Sequence, residues 1–119
     1  MPRFVILEHD YPQLHWDLMV EAGPALRTWR LPAPLRPGQT IPATSLFDHR
    51  LLYLDYEGPI SGGRGRVSRW EHGTFTGQVQ TQPPIVLHLQ GERLRGILHL
   101  EHVQGDVWRA SMMEDKAEA

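Results

Sequence analysis

Apolar and polar residues alternate in short runs along most of the chain, and Gly and Pro punctuate the runs before a 3.6-residue period can establish itself. That pattern predicts an all-β domain with strands at 3–8, 14–21, 26–30, 53–57, 65–70, 73–79, 85–90, 95–101 and 107–112. Nine short strands suggest a compact single-domain β-barrel joined by short helical or irregular connections. The segment Leu31-Pro32-Ala33-Pro34-Leu35-Arg36-Pro37-Gly38 reads as a surface loop, because Pro removes a ladder donor and suits neither a central strand nor a helix interior. Trp70-Glu71-His72-Gly73 reads as a hairpin turn. The domain is expected to span 1–113, with a polar C-terminal tail at 114–119.

The period-two reading places candidate chemistry. In His15-Trp16-Asp17-Leu18-Met19-Val20-Glu21, the residues His15, Asp17, Met19 and Glu21 share one face, and Trp16, Leu18 and Val20 fill the other against a core. His9 ends the preceding apolar run, and Asp10-Tyr11-Pro12-Gln13 has turn chemistry, so a hairpin returns His9 to the side of His15. Two imidazoles and a carboxylate with open positions suit manganese, iron or zinc. Ser61-Gly62-Gly63-Arg64-Gly65-Arg66 invites comparison with a phosphate-binding loop, but no helix follows it and a plain hairpin connection is the favoured reading.

Composition narrows the class. There are 119 residues, 40% apolar with four Trp, enough for one core. The Trp are expected in the barrel core and rim. No Cys is present, so disulfides and thiolate ligands are both excluded. No apolar run reaches a membrane span of about 20 residues, and Met1-Pro2-Arg3-Phe4 leads straight into a strand, so no membrane partner and a cytoplasmic location are expected. The net charge of −2 argues against a broad footprint on nucleic acid, although a protein that grips only a strand end needs few contacts.

Several blocks follow one another along the chain: Phe4-Val5-Ile6-Leu7-Glu8-His9-Asp10, Leu14-His15-Trp16-Asp17-Leu18-Met19-Val20-Glu21, Leu26-Arg27-Thr28-Trp29, Asp48-His49-Arg50-Leu51-Leu52-Tyr53, Tyr56-Glu57-Gly58, Trp70-Glu71-His72-Gly73-Thr74-Phe75 and Leu94-Arg95-Gly96. In this order they resemble the 3'-phosphoesterase domain of bacterial DNA ligase D and its stand-alone relatives. The resemblance implies a manganese-binding β-barrel, with Zn²⁺ or Co²⁺ as other candidate metals. It also implies that the domain trims the 3' ends of DNA or RNA-terminated DNA in repair, removing a terminal ribonucleotide and then a 3'-phosphate. A separate ligase or polymerase is a candidate partner. Carried over by position, the metal ligands fall on His9, His15 and Asp17, and the catalytic histidine and tyrosine on His49 and Tyr53. Asp10 and Glu21 take supporting roles, and Arg50 and Arg64 are candidate phosphate contacts. The site is expected at one mouth of the barrel.

Departures from the family pattern bear on activity. Met19 and Ile41 stand where the family usually has cations, Leu7 replaces a polar residue and Glu8 a basic one. Arg50, Arg27, Arg64 and Arg66 are the candidates for compensation. Two other functions stay open on sequence alone: a metal-bound barrel that binds nucleic-acid ends without turnover, and a phosphoesterase acting on small organic phosphates.

Overall fold

Antiparallel pairing organises the chain. The computed structural model describes residues 1–79 and 82–116, and its strands are β1 (Arg3–His9), β2 (His15–Ala22), β3 (Ala25–Leu31), β4 (Thr40–Arg50), β5 (Gly58–Pro59), β6 (Arg66–Thr76), β7 (Ile85–Gly91), β8 (Arg95–Gln104) and β9 (Val107–Glu114). Neighbours run β1-β2-β3-β4-β9-β8-β7-β6, and pairing of β1 with β6 closes these eight strands into a barrel. The two-residue β5 lies against β6 outside that closure. Among the described residues there is no α-helix, and no helix is long and apolar enough to cross a membrane.

The barrel interior collects one face of every closing strand. Phe4 and Ile6 of β1, Leu18 and Val20 of β2, Trp29 and Leu31 of β3, Ala43 of β4, and Phe75 of β6 meet Ile85, Leu87, Leu89, Leu98, Leu100, Trp108, Ala110 and Met112 there. Trp29 and Trp108 are buried, and Trp16 and Trp70 pack partly buried against this core. A second apolar cluster lies on the opposite, outer face of the same sheet: Val5, Leu7, Met19, Leu26 and Val67, covered by Leu54, Tyr53, Tyr56 and Ile60. The excursion between β4 and β6 therefore roofs part of the barrel wall. This explains why Phe4 to Leu7 is continuously apolar, since β1 is buried on both faces. The Arg3 guanidinium holds the roof to β1 through Asp55, 2.6 Å away, and this pairing draws the Asp55 carboxyl below its ordinary range.

Three elements depart from the sequence expectation. Residues 53–57 do not form a strand; Leu51–Leu54 is a 3-10 turn closed by Asp55 N–H donating to Leu52 O at 3.1 Å. The alternation between Tyr53, Leu54 and Tyr56 reflects packing on the outer cluster. The strand at 40–50 was not anticipated, because Pro42 sits inside it. It pairs with β3 only from Thr44 onward and with β9 only over Thr40–Thr44, so Pro42 faces a single neighbour and its missing N–H breaks no second ladder. Finally, 65–70 and 73–79 are not separate strands about a turn. β6 runs through, and Trp70 is the extra residue of a bulge, with Ile6 opposite Glu71 and Leu7 opposite Arg69.

Glu71 anchors this region. It is 1% exposed, and its carboxylate accepts backbone N–H groups from His72, Glu92, Arg93 and Leu94 at 2.6–3.0 Å. Gly91 is required beside it, because a Cβ there would collide with the carboxylate. At the C-terminus β9 continues through Glu114, and Asp115 N–H donates to Arg95 O at 2.8 Å. Of the expected polar tail, residues 117–119 lie outside the described residues.

Candidate metal centre on the outer barrel wall

Register brings the three candidate ligands together. The β1–β2 hairpin sets His9 opposite His15 and Leu7 opposite Asp17. Because 5, 7 and 9 share a face of β1 and 15, 17 and 19 share a face of β2, all three ligands join Leu7 and Met19 on the outer face of the wall. The site is thus on the barrel's flank, under the roof, and not at a mouth. The mouth expectation differs because alternation gives the face of β2 that carries the ligands but not which distant segment covers that face.

One donor atom each from His9, His15 and Asp17 lies within 4.8 Å of the others, and among the described residues no other group of His, Asp or Glu converges in this way. Asp17 Oδ2 is 3.3 Å from His15 Nε2 and 4.0 Å from His9 Nδ1. The far ring nitrogens are tied to carbonyls, His15 Nδ1 to Gln13 O and His9 Nε2 to Arg64 O, both at 2.8 Å. A carbonyl only accepts, so those nitrogens carry the protons in the neutral rings, leaving Nε2 of His15 and Nδ1 of His9 as lone pairs aimed at a carboxylate. Lone pairs facing a carboxylate in a buried setting repel one another, and a divalent cation between them removes the conflict. Asp17 is 4% exposed, and its other oxygen, Oδ1, is buried without a hydrogen-bond partner. The donor set therefore fits a nitrogen- and oxygen-preferring transition metal.

A cleft of about 380 Å³ opens from these ligands. Its walls include Leu7, His9, Asp17, Met19, Arg30, Phe47, His49, Arg50, Tyr53 and Arg64. His49 and Tyr53 reach it from β4 and the 3-10 turn, their ring centroids 5.9 Å apart. His49 Nδ1 donates to Phe47 O at 3.0 Å, which turns Nε2 toward the open cleft, and the exposed Phe47 ring stacks on the imidazole at 4.9 Å. His49 reaches the wall because β4 pairs it with Leu26 of the outer cluster.

The remaining candidates divide. Arg50 and Arg64 line the cleft. The glycine-containing loop meets the site through the Arg64 carbonyl, an acceptor, which is the opposite polarity to a backbone that cradles phosphate. Asp10 lies outside the cleft and holds this loop by accepting Arg66 N–H at 2.7 Å. Glu21 is not beside the histidines; it accepts Arg3 N–H at 2.8 Å, four residues along β2 from Asp17. Arg27 lies over Trp29 and Trp108, and Arg66 lines a separate depression with Glu8 and Asp10, so neither compensates in the cleft. Met19 is in the cleft wall, whereas Ile41 packs against the main core. Sequence reasoning missed Arg30, whose Nε lies 3.6 Å from Asp17 Oδ1. A signal was available: a tight turn at Gly23-Pro24 makes Ala22 face Ala25 and hence Asp17 face Arg30.

Gly65 ties the loop to the site. It has φ +76°, and a Cβ there would collide with Asp10 Oδ1 and Tyr11 Cβ. Gly65→Ala is expected to cost about 1–3 kcal/mol of stability from strain. Displacing the Arg64 carbonyl from His9 is expected to weaken any divalent-metal binding by this trio on the order of 10-fold. Chemical denaturation and calorimetric titration with Mn²⁺ measure the two effects.

Residues 7–102 match the family model described as the DNA Ligase D 3'-phosphoesterase domain. The multifunctional non-homologous end joining DNA repair protein LigD of Mycobacterium tuberculosis (strain ATCC 25618 / H37Rv) is 29% identical over 122 residues, covering 95% of this chain and 16% of the relative. The multifunctional non-homologous end joining protein LigD of Pseudomonas aeruginosa is 32% identical over 108 residues, covering 82% of this chain and 13% of the relative. That of Mycolicibacterium smegmatis is 28% identical over 133 residues, covering 98% and 18%. The chain thus spans less than a fifth of the length of these relatives. With most of its length matched, the chain belongs to the DNA ligase D 3'-phosphoesterase domain family.

Proposed function

We propose that this chain is a Mn²⁺-dependent phosphoesterase that processes the 3' ends of DNA or RNA-terminated DNA strands during end-joining repair in the cytoplasm. It removes a terminal ribonucleotide to leave a 3'-phosphate, a 3'-phosphate to leave a 3'-hydroxyl, or both in turn, preparing the end for a separate ligase or polymerase. The observation that carries this reading is the trio of half-buried His9 with buried His15 and Asp17, both imidazole lone pairs turned toward one carboxylate beside a cleft bearing His49 and Tyr53. Manganese, or Zn²⁺ or Co²⁺ in its place, would be held by these three residues and would supply polarisation of a phosphoryl oxygen and a lowered pKa for a bound water.

The chain's own groups supply positioning and proton transfer. Water oxygen attacks phosphorus as the phosphorus–oxygen bond to the departing group breaks. His49 Nε2, protonated, gives its proton to the departing oxygen, the proton shed by the attacking water passes to solvent, from which His49 is reprotonated, and the hydrogen bond to Phe47 O keeps the ring aimed during the transfer. The Tyr53 hydroxyl donates to a phosphate oxygen, and Arg50 and Arg64 add positive potential at the rim. The wall of Leu7, Met19, Ile60 and Val67 excludes competing water. Met19 in that wall gives the alternative of end binding without turnover its one specific support.

The test uses metal-stripped protein and end-labelled strands carrying a 3'-terminal ribonucleotide or a 3'-phosphate, with and without Mn²⁺. Mn²⁺-dependent shortening or dephosphorylation is expected. His49→Ala is expected to lower the rate by about 10²–10⁴-fold while leaving Mn²⁺ binding intact. Absence of turnover on both strands by protein that demonstrably binds Mn²⁺ would overturn the enzymatic reading, and faster turnover of a nucleoside monophosphate would redirect it to small phosphates.

A further inference from the structure

Arg30 stands apart from the other cations of the cleft. It pairs with Asp17 across the β2–β3 ladder, so both side chains project from the outer wall, and Met19 lies one diagonal step away, opposite Thr28. Its Nε is buried and makes no hydrogen bond, and the nearest carboxylate oxygen, the equally unpartnered Asp17 Oδ1, is 3.6 Å off. That spacing is too long for a hydrogen bond, so Asp17 leaves the Arg30 Nε–H without an acceptor. The side chain as a whole is 43% exposed, so its stem is buried while its tip reaches solvent.

The tip's surroundings suggest a use. Arg30 lines both the cleft that holds His49 and Tyr53 and a second depression formed by Gln13, Leu14, His15, Pro32, Pro42 and Thr44. A strand end entering the first by way of the second passes over the guanidinium. A terminal phosphate carries oxygens suited to the planar fork of Arg, and on β2 the nearby outward position is the uncharged Met19.

We propose that Arg30 is the phosphate-gripping residue of this site, binding a terminal 3'-phosphate from β3 in place of a cation on β2. The assignment rests on the 3'-end reading above and makes Arg30 a determinant of end preference. It also predicts interchange: the grip can be moved back to β2.

The experiment measures binding independently of turnover. A fluorescent strand ending in a 3'-methylenephosphonate, which resists hydrolysis, is compared by anisotropy with the same strand ending in a 3'-hydroxyl, with Mn²⁺ and with EDTA. The unmodified protein is expected to prefer the phosphonate end, and Arg30→Ala to weaken that binding on the order of 10- to 100-fold with little change for the hydroxyl end. Arg30→Ala combined with Met19→Arg is expected to recover the preference, and Arg30→Lys to retain part of it. Calorimetric Mn²⁺ titration of Arg30→Ala separates the rival role. A changed metal affinity with an unchanged end preference would make Arg30 a mere neutraliser of Asp17 and overturn the proposal. If the unmodified protein neither trims 3' ends nor prefers the phosphonate end, the functional reading fails and this assignment falls with it. If it does both and Arg30→Ala keeps the preference, only the assignment to Arg30 falls.

Discussion

His15→Ala is expected to reduce Mn²⁺-dependent 3'-end processing to the uncatalysed background and to remove high-affinity Mn²⁺ binding, with the barrel still folded. His15 sits at the centre of the trio: its Nε2 is the nearest imidazole atom to Asp17, and its Nδ1 is fixed by Gln13 O. Alanine deletes a donor that the remaining pair cannot replace, since His9 Nδ1 is farther from the carboxylate. The side chain projects from the outer wall and contributes nothing to the main core, so melting of the metal-free variant should stay close to that of the metal-free parent. Calorimetric titration, end-labelled strand assays and thermal unfolding on one preparation provide the three readouts. Full turnover by the variant would exclude His15 as a ligand. The contrast with His49→Ala, which should lose rate and keep metal, separates holding the ion from handling the proton.

Glu71→Ala is expected to be the most destabilising single change outside the apolar core, by roughly 3–5 kcal/mol, because it strands backbone donors that no neighbouring acceptor can reach. Four N–H groups converge on this carboxylate, three of them from the 92–94 turn between β7 and β8. Glu71 also follows the Trp70 bulge that lets β6 serve both β1 and β7. Its loss should loosen barrel closure and the turn together. Glu71→Gln retains one acceptor oxygen but introduces an amide with two donors of its own, so it is expected to fall between the parent and Glu71→Ala. Urea unfolding monitored by Trp fluorescence measures the series. A loss below about 1 kcal/mol for Glu71→Ala would mean that water replaces the carboxylate there.

These two residues mark the limits of what could be read along the chain. The period-two face of His15, Asp17 and Met19 was legible, and so was the return of His9, because a hairpin with turn chemistry leaves little freedom in its register. His49 and Tyr53 carried no local signal and entered only with the family resemblance. Glu71 looked like a turn residue because Glu, His and Gly stand together, and nothing nearby in sequence announces that residues 92–94 supply its partners. Arg30 was encoded in the Gly23-Pro24 turn but needed the register to be followed to its end.

Alternation and turn residues were sufficient for an all-β chain and for most strand positions, because side-chain direction along a strand depends only on the backbone of that strand. They set Leu18 and Val20 of β2 toward the core, as the structure has them, but did not reveal that the opposite face is also covered, nor did they identify β4 around Pro42. Closure of β1 on β6 and the meeting of Arg64 O with His9 join residues more than forty positions apart, and the roof carries Tyr53 over the outer wall. Such contacts are chosen by which surfaces bury one another when the whole chain collapses, and that choice is absent from the period of any single segment.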